Sequence, residues 1–174
     1  MTEIKYPIGK FSMELVPDLS DKGKLISNLH LLPTKLLETV RDLTEEQLDT
    51  PYRTGGWTLR QVIHHIPDSH MNGYIRFKWA LTENKPHIKP YDQTSWAVTS
   101  ENNTTPPLIS VSLLENIHQR WVYLLKSMSD SDFDKTYINP ESGEFTLLQA
   151  LTLYDWHGRH HLAQIKALKS KMNW

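Results

Sequence analysis

Trp57-Thr58-Leu59-Arg60-Gln61 and Phe145-Thr146-Leu147-Leu148-Gln149 are two copies of one pattern: an aromatic, a threonine, and a glutamine three residues later. Thr-x-x-Gln is a capping box, in which the threonine hydroxyl and the glutamine amide each satisfy a backbone N–H that a helix start leaves unpaired. The context upstream repeats as well. Leu43-Thr44, Leu48-Asp49 and Tyr52 precede the first copy; Met128-Ser129, Phe133-Asp134 and Tyr137 precede the second. Each copy ends a helix, makes an Asp-x-x-Tyr turn and restarts a helix. Two helix starts that share capping chemistry by chance are the plainer alternative, and either way the boxes fix where two helices begin.

Working outward, apolar residues recur every three or four positions at Leu25, Leu29, Leu32, Leu36, Val40 and Leu43, which predicts a first helix over about 20–43, bent at Pro33. A second helix runs from Thr58 toward Leu81. A third spans about 110–128, on the stripe Leu113, Leu114, Ile117, Trp121, Leu124 and Met128. The fourth runs from Thr146 to Met172. No segment alternates as a strand does, so the class is all-α. The stretch 82–109, with Pro86, Pro90, Pro106 and Pro107, is long for a compact domain and reads as a crossover between two helix-hairpins of a four-helix bundle. Tyr91, Asp92 and Trp96 sit in it, either on a site rim or in a surface loop anchored by Trp96. The whole chain, 1–174, reads as one domain.

At 39% hydrophobic and 22% charged, with a formal net charge of -1, the composition is that of a soluble globular protein with no electrostatic pull toward nucleic acid or anionic membrane. No run approaches the roughly 18 apolar residues of a membrane span, and MTEIKYPIGKF has no signal-peptide apolar region, so the expectation is cytoplasmic. The chain has no cysteine and nine histidines. That excludes disulfides, thiolate nucleophiles, iron–sulfur clusters and cysteine-ligated zinc, and leaves imidazole for any metal chemistry.

His157 and His161 stand four apart on the fourth helix, where two imidazoles share one face. With about 100° per residue, Ala150, Tyr154, Ile165 and Leu168 fall within about 40° of His161, His157 lies about 40° away and His160 about 100° away. Two imidazoles on an apolar stripe are either core histidines bonded to carbonyls or carboxylates, or two ligands of a metal. A third ligand would come from another helix. The second helix offers His65 at the edge of its stripe and His70 on it, and periodicity does not choose between them. His64 faces away and reads as solvated, or as supporting a ligand from behind. His30 and His118 read as ordinary boundary histidines, and His87 as a surface residue of the crossover.

These residues, in order, resemble a known family. Pro7-Ile8-Gly9, Asp49-Thr50-Pro51-Tyr52-Arg53, Gly55-Gly56-Trp57-Thr58, Arg60-Gln61-Val62 and His64-His65 are followed by Asp68-Ser69-His70-Met71-Asn72 and Tyr74-Ile75-Arg76-Phe77-Lys78. Pro90-Tyr91-Asp92, Trp96, Trp156-His157 and His160-His161 complete the set. The set is similar to the YfiT group of the DinB-like superfamily, described as metal-dependent hydrolases and as bacillithiol transferases. The resemblance spans nearly the whole chain. It implies a four-helix bundle, a homodimer, and one divalent ion, zinc or nickel, held by His65, His157 and His161. One departure is Asp155, where the family pattern has an apolar residue.

Three imidazoles would leave a coordination position open. An ion there would lower the pKa of a bound water toward about 7, for hydrolysis, or hold a small thiol as thiolate, for transfer to an electrophile. Gly158 occupies the position of the glutamate in H-E-x-x-H, which argues against zincin chemistry. Asp68 and Asp155 are weak candidates for orienting a ligand imidazole, against the simpler reading of exposed acids. A thiolate needs no base once formed, which favours an S-transferase with bacillithiol as cosubstrate; a hydrolase is the runner-up, and a metal-stabilised binding module without catalysis is the third reading. Tyr74, Arg76, Lys78 and Arg159 read either as an anion-binding set or as a solvated basic face.

Overall fold

In the computed structural model, which describes residues 4–12 and 16–174, both boxes close: Thr58 and Thr146 accept from the backbone of Gln61 and Gln149, whose side chains accept in return. Residues 1–3, part of the stretch read above for a leader, and 13–15 lie outside the described residues. The helices are α1 (Lys22–Val40), α2 (Glu45–Leu48), α3 (Leu59–Thr82), α4 (Gln93–Trp96), α5 (Pro107–Ser127) and α6 (Leu147–Met172). A third capping box, Thr44 with Gln47, starts α2. The four long helices form the bundle. Among the described residues no helix is long and apolar enough to cross a membrane.

The pairing inside the bundle differs from side-by-side hairpins. Both α1 and α3 pack on α5 and α6, so α1 and α3, consecutive long helices, lie across the core from each other. The apolar core falls into two halves that give the helix directions. One holds Leu25 and Leu29 of α1, Phe77 of α3, Trp121 and Leu125 of α5, and Leu147 and Leu151 of α6. The other holds Leu36, Val62, Val111 and Ile165. The C-terminal ends of α3 and α5 therefore meet the N-terminal ends of α1 and α6. The chain passes up, down, down and up, and the segment between α3 and α5 must return along the whole length of α3. At 1.5 Å per residue that is roughly 36 Å, which is why the crossover is long.

A β-hairpin corrects the reading without strands. β1 (Thr136–Asn139) pairs antiparallel with β2 (Gly143–Thr146), and Tyr137 lies opposite Phe145 with stacked rings 5.7 Å apart. Two four-residue strands are too short for alternation to show in sequence. The first copy of the repeat makes the same pairing as a single rung: Pro51 bridges Thr58, and Tyr52 N–H donates to the Trp57 carbonyl at 3.0 Å. The repeat is thus an aromatic pair across a turn, closed by a helix cap.

Helix packing is close at Gly73 on α3, where a Cβ would stand 2.5 Å from Tyr154 Cζ and 2.6 Å from Trp121 Cη2. Both are ring atoms held in the core. Gly73→Ala should therefore lower stability by about 1–3 kcal/mol, as overpacking of a filled core does, despite the better helix propensity of alanine. The urea midpoint should fall with an unchanged m-value.

Candidate metal centre

Between the two apolar halves lies a layer of imidazoles. His65 sits on α3 between Val62 and Ile66 of its apolar face, and His157 and His161 sit one turn apart on α6. Ring nitrogens of these three lie within 4.8 Å of one another, and His65 Nε2 stands 3.1 Å from His157 Nε2. Three bonds of about 2.1 Å to one zinc ion need nitrogens roughly 3–3.5 Å apart, so the donor set fits a divalent ion. Burial, the largest cause for each, keeps them neutral, the form that binds metal. His65 is pushed down to about 4, and His157 and His161 well below the ordinary imidazole value.

Hydrogen bonds decide which nitrogen of His161 is bare. Gln164 Nε2 lies 3.0 Å from the Lys5 carbonyl, which can only accept, so the amide nitrogen points there. The same NH2 lies 3.0 Å from His160 Nε2, and the Gln164 oxygen is left facing His161 Nδ1 at 2.8 Å. His161 therefore donates through Nδ1 and offers its Nε2 lone pair to the site. The arm that supplies Lys5 turns at Gly9 (φ 82°), whose N–H donates to the Tyr6 carbonyl, and lays Tyr6 against His160 and Phe11 against Trp156. Pro7-Ile8-Gly9 is the turn that folds this arm over the centre.

The three imidazoles open into a cavity of about 410 Å³ whose wall includes Tyr6, Tyr52, Arg53, Trp57, Gln93 and Trp156, a size suited to a small molecule. Trp57, the aromatic of the first repeat copy, sets its ring edge to His65 with centroids 4.8 Å apart. Gln61, the glutamine of the same cap, also donates to the Ala97 carbonyl at 2.9 Å and so pins the crossover beside the cavity. Gln93 and Thr94 bring the crossover onto the rim, capped by Asp92. Tyr91 bonds Ser69 and packs against Trp96 with ring centroids 4.6 Å apart.

Several sequence expectations change. His64 is not solvated: it is 3% exposed, and its Nδ1 meets Ser110 Oγ at 2.7 Å. His118 is not a boundary residue but fully buried, with Nε2 2.9 Å from His70 Nδ1. His70 has both nitrogens engaged, the other with His157 Nδ1 at 3.2 Å, and so stands behind the cluster of three rather than in it. His160 is buried and stacked on Trp156. Asp155 is buried and bound by Arg159 at 2.7 Å, an i,i+4 pair that sequence spacing could have revealed, and it touches no ligand imidazole. Asp68 faces Glu101 across the crossover. Of the basic set, Arg76 donates to the Tyr154 hydroxyl at 3.1 Å, and Tyr74, Arg76, Lys78 and Arg159 are all absent from the described cavity wall. His87 is exposed, as read from sequence, and His30, read as a boundary residue, is exposed too.

Burial, with the Glu101 charge, pushes the Asp68 carboxyl up to about 6. Its folded pKa lies above the unfolded one near 3.8, so Asp68 costs stability as pH rises through that interval. Asp68→Asn should raise the urea midpoint above pH 7, and the gain over the parent should shrink as pH falls toward 4.

The model of the DinB superfamily matches residues 28–165. A Bacillus licheniformis protein is 50% identical over all of this chain and 99% of its own length. A Bacillus mycoides protein is 47% identical over the full length of both. Both carry the provisional name of metal-dependent hydrolase. Among solved structures, YfiT from Bacillus subtilis, provisionally described as a metal-dependent hydrolase with an unusual four-helix bundle topology, has a TM-score of 0.95 at 44% identity over 98% of each chain. A mycothiol-dependent maleylpyruvate isomerase shares the fold at a TM-score of 0.67 and 13% identity, covering 90% of this chain and 63% of its own.

Proposed function

The chain belongs to the DinB superfamily, and from that premise we propose that it is a divalent-metal enzyme, its ion held by His65, His157 and His161, that joins a small thiol to an electrophile. The observation that carries this reading is a cavity floored by three imidazole nitrogens and lined, among the described residues, by no carboxylate. Zinc or nickel suits three neutral imidazoles. When bound, such an ion supplies a Lewis acid that holds a thiol as thiolate at neutral pH. With no cysteine in the chain, the sulfur arrives with a cosubstrate, and bacillithiol is the candidate.

Hydrolysis asks for a base beside the attacking water. The remaining imidazole of the wall, His160, has its Nε2 lone pair taken by Gln164 N–H, so it is not free to accept a proton. Asp68 and Asp155 do not reach the cavity. Trp57 and Trp156 give the wall apolar surface, and Arg53, Gln93 and Thr94 add polar groups that suit a polar thiol. The names of the relatives favour metal-dependent hydrolysis as the second reading.

Metal-loaded protein should consume a monohalobimane only when bacillithiol is present. Thiol-independent cleavage of an ester or amide would establish the hydrolase instead, and neither activity from loaded protein would leave a binding module. His65→Ala, His157→Ala and His161→Ala should each lose stoichiometric metal by elemental analysis. His64→Ala and His160→Ala should keep it. Metal retained in all three ligand variants would overturn the site.

A further inference from the structure

Pro33 lies inside α1 and has no N–H, so the carbonyl four residues before it, that of Leu29, lacks its helical partner. A buried carbonyl left unpaired is destabilising. Here His118 reaches from α5 and places Nδ1 2.6 Å from the Leu29 oxygen. A carbonyl only accepts, so His118 Nδ1 carries the hydrogen, and its Nε2 carries the lone pair of a neutral ring. His118 Nε2 is 2.9 Å from His70 Nδ1, which must then donate, leaving the lone pair on His70 Nε2. His70 Nε2 is 3.2 Å from His157 Nδ1, which must donate in turn. The lone pair of His157 is thereby left on Nε2, the nitrogen that faces His65. Each step has one allowed polarity, because the first acceptor in the chain has no hydrogen to give.

We propose that His118 and His70 are positioning residues of the metal centre, which carry the polarity of the Leu29 carbonyl, freed by Pro33, across the bundle and hold His157 with its Nε2 lone pair toward the site. This rests on the three-histidine metal reading above. A ligand histidine ordinarily donates its other N–H to a carbonyl or carboxylate directly, and losing that partner costs 10–100-fold in metal affinity. In this chain the carbonyl is two imidazoles away. Both intervening rings are fully buried, which disfavours a charge on either, and a neutral ring is what each link requires. Each of the four long helices contributes one member: Leu29, His118, His70 and His157.

The test reads tautomers directly, then affinity. In chelator-treated full-length protein, long-range proton–nitrogen correlation spectra should show His118, His70 and His157 as Nδ1–H forms. His70→Leu should weaken zinc binding roughly 10- to 100-fold in a chelator competition. His70→Gln should restore most of it, because the amide oxygen accepts from His157 Nδ1 while its NH2 donates to His118 Nε2. His157 in the Nε2–H form, in protein that binds zinc, would overturn the relay alone. A folded His70→Leu that binds zinc as tightly as the parent would do the same. The Nδ1–H series in protein that binds no zinc would overturn the metal reading, and with it the positioning role. The tautomers are read on the unmutated chain, so a variant that fails to fold does not remove the test.

Discussion

A buried imidazole in a bundle core is costly unless its nitrogens find partners of the right kind, and at the level of His70 and His118 that constraint organises this molecule. His70 and His118 are fully buried between two apolar halves. Unpaired, each would cost more than a good core contact gives. They are accommodated because the groups at this level interlock: a carbonyl from α1, one imidazole each from α5 and α3, and the α6 imidazole that reaches the cavity. The helix arrangement follows from the same need. A relay from α1 to α6 through α5 and α3 is possible because α5 packs on both α1 and α3, and α3 packs on α6.

The sequence showed the parts that local chemistry determines. Capping boxes placed the starts of α3 and α6, because a threonine and a glutamine three apart suffice to pair the orphan N–H groups. The i,i+4 spacing put His157 and His161 on one face. Periodicity did not separate His65 from His70, since a helical wheel gives a residue's face and not its partner across the core. His118 was missed for that reason: nothing on its own helix distinguishes a buried relay member from a boundary residue. Pro33 was legible as the loss of a donor, and therefore as a free Leu29 carbonyl, but the helix that would use it was not. The diagonal placement of α1 and α3 depends on connections that cross an end of the bundle, and those carry no periodicity.

The cavity wall shows how the fold restricts chemistry as well as enabling it. In H-E-x-x-H sites a glutamate next to the first histidine supplies the base. Here Gly158 takes that position, and a Cβ there would run into the Leu32 side chain of α1. The close approach of α1 and α6 thus admits a larger residue only if the Leu32 side chain shifts. The acid two positions before His157, Asp155, is bound by Arg159. A site without a carboxylate suits a nucleophile that the metal alone can activate.

The residues least suited to helices fall near the polar layer. Pro33 interrupts α1 where its lost bond frees the Leu29 carbonyl. Gly73 thins α3 one turn beyond His70, so that Tyr154 and Trp121 can close over the relay, each with an edge toward the His70 ring. Gly158 thins α6 beside His157. Each costs helix stability, about 1 kcal/mol for a glycine and about 3 for a proline relative to alanine. Their clustering around one layer argues that this level of the core is shaped by what His157 must present to the cavity, and that the apolar halves above and below supply the stability that this layer gives up.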